Sequence, residues 1–113
     1  MSKTKIRKIT VKIGTKVLTG SGNKLDKEII KGLADQVSDL MDEGISVVLV
    51  SSGAIGGGLG LLNLTKKNKT LSELQAIASV GQTYLMDMYN ECFSERGYIA
   101  GQILLTQEER FIL

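Results

Sequence analysis

The sequence contains no histidine and a single cysteine, and both scarcities restrict its chemistry. Without histidine, neither a Ser-His nor a Cys-His catalytic arrangement can form within the chain, and no zinc or other metal site is expected. Cys92 has no partner for an internal disulfide, so we expect a reducing, cytoplasmic setting. No apolar run approaches the roughly 20 residues that a membrane-spanning helix needs, so no membrane partner is expected.

The sequence also lacks a strong excess of charge. The 14 basic and 12 acidic residues leave a net charge of +2, and basic residues cluster only within residues 3–8 and 66–69. Neither cluster has interleaved aromatic side chains, so nucleic-acid binding is not expected. With 113 residues, of which 42% are hydrophobic, the composition is typical of one small globular domain.

Two common phosphate-binding patterns are missing as well. The P-loop sequence Gly-x-x-x-x-Gly-Lys-Ser/Thr does not occur, because Gly14 and Gly20 are wrongly spaced and no lysine follows. The dinucleotide pattern Gly-x-Gly-x-x-Gly fails because Gly58-x-Gly60 is followed by Asn63. A standard site of either kind is therefore not expected.

Hydrophobic periodicity in the first half predicts a strand–helix–strand unit. Lys8–Ile13 alternates between apolar and polar residues, as strands do. Asp26 is placed to cap a helix whose apolar residues recur at three- and four-residue steps, and Gly44 marks its end. The valine-rich run Ile45–Val50 is typical of a strand buried on both faces. Such a unit joins parallel strands through a right-handed crossover.

The second half continues the same alternation of helices and strands. Thr70 and Glu73 predict a capping box that opens a long helix, and Tyr98–Leu105 is predicted as a third strand. We expect an α/β fold, an open and mainly parallel sheet with helices on both faces (an αβα sandwich). The predicted apolar face of the long helix consists of Leu71, Leu74, Ala78, Gly81, Leu85, Met88 and Cys92.

Lys12 and Gly14 lie where the first strand ends, at the edge where open α/β sheets bind ligands. Burying a lysine there is costly unless an anion pairs with it, and glycine would let the backbone approach a phosphate. Alternatively, Lys12 extends into solvent from an edge strand. Position alone leaves both interpretations open.

The end of the second strand carries Ser51, Ser52 and Gly53, followed by three consecutive glycines at residues 56–58. A helix beginning there would offer free N–H groups to an anionic substrate. The alternative is ordinary helix capping by a serine hydroxyl. Because consecutive glycines cost conformational entropy, we favour the anion site. Composition and spacing therefore lead to an α/β domain with an anion-binding edge.

Four segments, in this order, resemble the amino acid kinase family. The segment Val11–Thr15 is similar to the family's opening strand and loop, and Val50–Ile55 to its second motif. Ala78–Gln82 and Gly101–Thr106 resemble more specifically the members that phosphorylate glutamate. The resemblance extends from about residue 8 to Thr106 and adds a specific reaction to the general expectation of an anion site.

The resemblance implies transfer of the γ-phosphoryl group of ATP to the γ-carboxylate of L-glutamate, the first step of proline biosynthesis, with Mg²⁺ carried by the nucleotide. Phosphoryl transfer depends on alignment and on positive charge beside the moving group. By the resemblance, Lys12 would be the catalytic contact to the ATP phosphates, and Gly14 and Thr15 would supply loop amides beside it. A carboxylate is already anionic at neutral pH, so no general base is required.

On the glutamate side, the resemblance implies that Ser52 binds the substrate and that Gly53 and Ala54 shape the same pocket. For Ala78–Gly81 and Gln82, close helix packing is favoured over substrate contact, and for Gln102–Thr106 a core strand is favoured. Met86 and Met88 are expected in the core or at a subunit contact, and a homo-oligomer is compatible with the resemblance.

The resemblance further implies that residues 1–113 are a truncated, amino-terminal, glutamate-binding part of a kinase domain. The family's nucleotide-binding half and carboxyl-terminal domain have no counterpart in this sequence. Three strands alone would leave sheet edges uncovered. Two alternatives stay open: a non-catalytic remnant or interaction module, and a related phosphotransferase of the same family with another substrate.

Overall fold

The computed structural model describes residues 7–20, 24–51 and 54–102. Within these ranges the chain forms two strands and four helices, which alternate in the manner of an α/β fold. In chain order the elements are β1 (Lys8–Ile13), α1 (Thr15–Thr19), α2 (Lys27–Asp42), β2 (Ser46–Ser51), α3 (Ala54–Leu62) and α4 (Leu71–Ser94).

The predicted strand–helix–strand unit is confirmed. β1 and β2 pair in parallel, in a register that runs from Lys8 opposite Ser46 to Ile13 opposite Ser51. The helix between them, α2, begins where the Asp26 carboxylate accepts hydrogen bonds from two backbone N–H groups of the first turn. It ends just before Gly44, whose φ of +87° favours glycine.

The two faces of this strand pair differ. Val11, Val47 and Leu49 pack against a core that α2 and α4 share. On the other face Val48 is 40% exposed and Val50 45% exposed. The prediction that β2 is buried on both faces is therefore wrong within the described part of the chain. An alternating burial pattern results instead.

The predicted capping box of α4 is confirmed. The Thr70 hydroxyl accepts a hydrogen bond from the Glu73 N–H at 3.1 Å, and the Glu73 carboxylate accepts one from the Thr70 N–H at 3.0 Å. The predicted apolar face is wrong at its start, because the first turn extends beyond the core and leaves Leu71 72% exposed. The buried residues of α4 are Ile77, Gly81, Leu85, Met88, Tyr89, Cys92 and Phe93.

Two further predictions differ from the structure. Residues 15–19 form the short helix α1, which the sequence did not indicate because no side chain caps it. Residues 98–102, the described part of the predicted third strand, are not in a strand. There the Ala100 N–H donates to the Asn90 side chain at 3.2 Å instead of to a neighbouring strand. Residues 103–105 lie outside the described ranges.

Glycines let α3 and α4 approach each other closely. A methyl group at Gly58 would overlap the carbonyl oxygen of Ile77, and one at Gly81 would overlap the carbonyl oxygen of Ala54. The two backbones are therefore in direct contact, which only residues without a side chain permit. The interpretation of Gly81 as a helix-packing residue is confirmed. In the described part of the chain, no helix is long and apolar enough to cross a membrane.

Arg96, just past the end of α4, connects this helix to α2. Its guanidinium group donates to Asp39 at 2.7 Å, to Asp42 at 3.0 Å and to Asp35 at 3.4 Å. The Tyr98 hydroxyl also donates to Asp42. Arg96 is 27% exposed, so water screens these contacts only in part. Two exposed ion pairs link the same helices, Lys27 with Glu91 and Lys31 with Glu95.

Substitution of Gly81 by alanine should strongly destabilise the fold. The added methyl group has no room beside Ala54, so we expect urea unfolding to show a loss of about 3 kcal/mol in the free energy of unfolding. Gly32→Ala in α2 is the matched control. Its methyl group would meet nothing within 4 Å, so a gain of about 0.5–1 kcal/mol is expected there. Equal stability of Gly81→Ala and the unsubstituted chain would contradict the described packing.

The cluster formed by Arg96, Tyr98 and the carboxylates of Asp35, Asp39 and Asp42 should make the stability of the protein depend on pH. The hydrogen bond from Tyr98 has the largest effect and lowers the pKa of Asp42; burial, next in size, opposes it, and the hydrogen bond and charge of Arg96 lower the pKa further. A carboxyl group whose pKa is lower in the folded state stabilises the protein at pH values above its pKa in the unfolded state, near 4. This stabilisation is lost as the pH falls through the pKa of the folded state. Melting temperatures between pH 7 and pH 3 should therefore decrease less in Arg96→Gln than in the unsubstituted chain.

A lysine-to-glutamine change on an exposed loop controls for the loss of one positive charge. Lys67→Gln removes the same charge from such a position and should leave the pH dependence unchanged. If Arg96→Gln and Lys67→Gln gave the same melting temperatures throughout, the cluster would have no role in stability.

Candidate functional site

The carboxyl ends of β1 and β2 lie side by side. Ile13 and Ser51 form the last pair of the parallel register. Beyond this pair, β1 continues through Gly14 into α1, and the chain after β2 enters α3 at Ala54. Both predicted parts of the site therefore begin at the same edge of the sheet, where α/β proteins bind their ligands.

Lys12 lies opposite Val50 in the register, on the face of the sheet that the described helices leave uncovered. It is exposed, so the argument from the cost of burying its charge does not hold, and its side chain reaches solvent. Ser51 lies on the helix-covered face. The two residues thus flank one edge from opposite sides, and phosphate contact by Lys12 stays a prediction.

Open space surrounds the backbone of Gly14. A side-chain methyl group there would meet nothing within 4 Å, and its φ of −79° is available to any residue. The Gly14 carbonyl accepts hydrogen bonds from the N–H groups of Val17 and Leu18, which starts α1. Neither packing nor backbone conformation therefore requires glycine at this position. The open space would let a ligand approach the main chain closely.

Thr15, the other residue predicted beside the phosphates, contacts α3. It is half-buried, and a methyl group added at Gly56 would come within 2.9 Å of its Cγ2 atom. The carbonyl of Thr15 accepts a hydrogen bond from the Thr19 hydroxyl at 3.1 Å. The structure therefore brings the predicted phosphate loop against the helix that follows the predicted glutamate turn.

The glycine run in α3 has a packing explanation. Gly56 lies against Thr15, a methyl group at Gly57 would approach Leu25 to 3.0 Å, and Gly58 abuts Ile77. The three consecutive glycines therefore do not by themselves favour an anion site, because close helix packing also requires residues without side chains at these positions. The assignment of glutamate binding therefore depends on Ser52, Gly53 and Ala54, and not on the glycine run.

The structure describes the residues on either side of the predicted glutamate-binding pair, Ser51 in β2 and Ala54 in α3. Ser52 and Gly53, predicted to bind glutamate, lie outside the described residues, whereas Ala54 is the half-buried first residue of α3. On the other flank, the Ser51 hydroxyl is 2.7 Å from the Tyr89 hydroxyl, and either can donate the hydrogen bond. Ala54 is held by its contact with α4 at Gly81.

Tyr89 is the residue at this site that sequence reasoning missed. It is 4% exposed in α4, where burial raises the pKa of its hydroxyl and the bond with Ser51 opposes this increase. The phenol therefore stays protonated at neutral pH. The predicted apolar face of α4 included Met88 and omitted Tyr89. A tyrosine next to a predicted core residue could have indicated a buried hydroxyl that needs a hydrogen-bond partner.

Two of the motifs that carried the resemblance also meet. The Gln82 side-chain amide donates to that of Gln102 at 2.9 Å, which connects α4 with the segment after it. Met88 is buried, and Met86 packs against the core, so the core interpretation of both methionines is confirmed. No group of three or more potential metal ligands occurs among the residues that the structure describes.

Comparison with known proteins identifies relatives along nearly the whole chain. The profile of the amino acid kinase family matches residues 7–111. A protein of Thermoanaerobacter sp. (strain X514) named glutamate 5-kinase is 47% identical over 102 residues, which cover 90% of this chain and 27% of the relative. Proteins of the same name from Clostridium acetobutylicum and Symbiobacterium thermophilum are 44% and 43% identical, and 39% of each is covered.

Proposed function

This chain belongs to the amino acid kinase family, and from that membership we propose that it provides the L-glutamate site and a phosphate contact of a kinase acting on the γ-carboxylate of L-glutamate. ATP is the proposed donor and glutamyl 5-phosphate the product, as in the first step of proline biosynthesis. The observation that supports this proposal best is the parallel register that ends at Ile13 and Ser51, since it starts both parts of the site at one edge.

The proposed reaction needs little covalent chemistry from the protein. An oxygen of the ionised glutamate γ-carboxylate forms a bond to the γ-phosphorus of ATP, while the bond from that phosphorus to the bridging oxygen breaks. ADP leaves with the bonding electron pair. The ammonium group of Lys12 would stabilise the charge on the phosphoryl oxygens. Mg²⁺ is proposed to arrive on the nucleotide, and no step is assigned to a protein-bound ion.

The proposed glutamate site consists of residues 52–54, which connect β2 to α3. Its hydroxyl at Ser52 and its backbone N–H groups at Gly53 and Ala54 are the kinds of donors that hold a carboxylate at a helix start. The nine-residue helix α3 would add the positive end of its dipole. Gly14 and Thr15 would supply amides to the ATP phosphates across the same edge.

For the 113-residue chain by itself we propose glutamate binding rather than full turnover. The chain spans 27% to 39% of the lengths of the relatives compared above, and the complete reaction is proposed for a polypeptide of their length. A cytoplasmic setting fits the free, buried thiol of Cys92. A second candidate is a non-catalytic interaction module, which the exposed Val48 and Val50 favour, because parallel sheets are normally covered on both faces.

Calorimetry with L-glutamate separates these two functions. We expect saturable binding to the 113-residue chain, weakened roughly tenfold by Ser52→Ala through loss of a hydrogen bond to a charged group. Ser72→Ala, at an exposed position in the first turn of α4, is the control and should bind like the unsubstituted chain. Absence of saturable binding would reject the glutamate site and leave the interaction module.

The phosphate contact is tested in an active chimera, with residues 7–102 of this chain replacing the matching part of the Clostridium acetobutylicum relative. Lys12→Ala should reduce kcat by on the order of a hundredfold or more, because it removes a charge that stabilises the transition state. Lys8→Ala, on the same strand and also exposed, should leave kcat unchanged. Near-normal kcat for Lys12→Ala, measured by ADP release, would contradict the assignment.

A further inference from the structure

An open groove lies on the outer side of α4, beside the end of α3. Its volume is about 380 Å³, and it is lined by Leu61, Ser79, Val80, Thr83, Tyr84 and Asp87. Leu61 is 50% exposed and Val80 39% exposed. Three further leucines, Leu62, Leu64 and Leu71, are exposed where α3 passes into α4. Apolar side chains exposed together in this way are a sign of a surface that another molecule covers.

Charge is distributed unevenly along α4. Residues 66–69, just before the helix, include three lysines, against one carboxylate in its first turn, that of Glu73. At the other end, Asp87, Glu91 and Glu95 are exposed. The lysines of α2 and Arg96, which lie near this end, are already paired with carboxylates. One end of the helix is therefore basic and the other end acidic.

A second copy of the chain matches this distribution of charge. Two helices related by a two-fold axis at right angles to them run antiparallel, so the basic end of each lies beside the acidic end of the other. With the axis between Val80 and Thr83, residue 68 of one copy is level with Glu95 of the other, because each lies about 20 Å from the axis at the usual helical rise. A crossing angle of about 20°, as in helix bundles, keeps these ends within reach of lysine side chains. A parallel pair would instead bring the lysines of both copies together.

From these features we propose that the groove is the interface of a homodimer, in which α4 of a second copy packs antiparallel against α4, with Val80 and Thr83 next to the two-fold axis. The pairing covers Leu61 and Val80 of both copies. It sets the lysines of residues 66–69 beside Glu95 of the other copy, and the symmetry makes this contact twice. The inference goes beyond the proposed function and does not depend on it.

The uncovered face of the sheet is the other exposed apolar surface, and it suits a second copy less well. Lys8 and Lys12 are exposed there beside Val48 and Val50, and no carboxylate lies among the described residues of this face. Two such faces packed together would bring like charges into contact, which is unfavourable. Val80 in the groove and Val48 on the sheet are almost equally exposed, at 39% and 40%, so they provide a matched comparison of the two surfaces.

Analytical ultracentrifugation of the 113-residue chain tests the interface. We expect a concentration-dependent dimer whose dissociation constant rises on the order of tenfold or more in Val80→Glu, because the substitution buries a charge without a partner. Val48→Glu introduces the same charge on the sheet and should leave the dissociation constant unchanged. Added salt should weaken the dimer, since the proposed ion pairs between the copies lie at the rim of the interface.

A cysteine next to the two-fold axis gives a second measurement that leaves the interface intact. Thr83→Cys should form a disulfide-linked dimer on mild oxidation with copper phenanthroline, because each new thiol faces the same thiol of the other copy. Val48→Cys, on the sheet, should remain without this cross-link. The unsubstituted chain controls for Cys92, which is 2% exposed and should not react.

Three results would overturn the proposed dimer. The first is a chain that stays monomeric at millimolar concentration, and the second is a dimer that Val48→Glu dissociates and Val80→Glu does not. The third is cross-linking of Thr83→Cys no greater than that of Val48→Cys. If the melting curve of Val80→Glu showed that it does not fold, the cross-linking comparison would decide. Calorimetry with L-glutamate is a separate measurement, so the proposed function stands or falls independently of the dimer.

Discussion

Where α3 crosses α4, Gly58 and Gly81 bring the two backbones into direct contact, since neither residue has a side chain to hold the helices apart. Ala54 touches the same part of α4, so the place where α3 begins depends on that contact. Gly56 then extends the packing from α3 to Thr15 in α1. The absence of side chains at these glycines therefore sets how α3 lies against α1 and α4.

Local signals in the sequence were sufficient for the elements that depend on neighbouring residues. The bounds of β1 and the capping box of α4 agree with the structure because alternation and capping act over a few residues. The role of Gly58 depends on a helix that begins later in the chain, and the contact of Tyr89 with Ser51 joins residues 38 positions apart. Such pairings follow from tertiary packing, which a single sequence does not display.

The exposed face of the sheet places the predicted phosphate contact outside the core. Val48 and Val50 lie on this face beside Lys12, although parallel sheets are normally covered on both sides. The curated relatives are much longer than the part that this chain matches. Ser51 and Ala54, which border the proposed glutamate residues, both contact α4, whereas Lys12 lies on the uncovered face of the sheet.

Chemical-shift mapping of the isotopically labelled chain by NMR would test most directly whether ligands bind at the shared strand edge. On addition of L-glutamate we predict perturbed backbone amides at Ser51–Ala54, and on addition of ATP at Lys12–Thr15. The amides near Lys8 and Ser46, at the amino ends of the strands, should be unaffected. Shifts confined to those amino ends, or to the outer surfaces of α2 and α4, would contradict the proposed site.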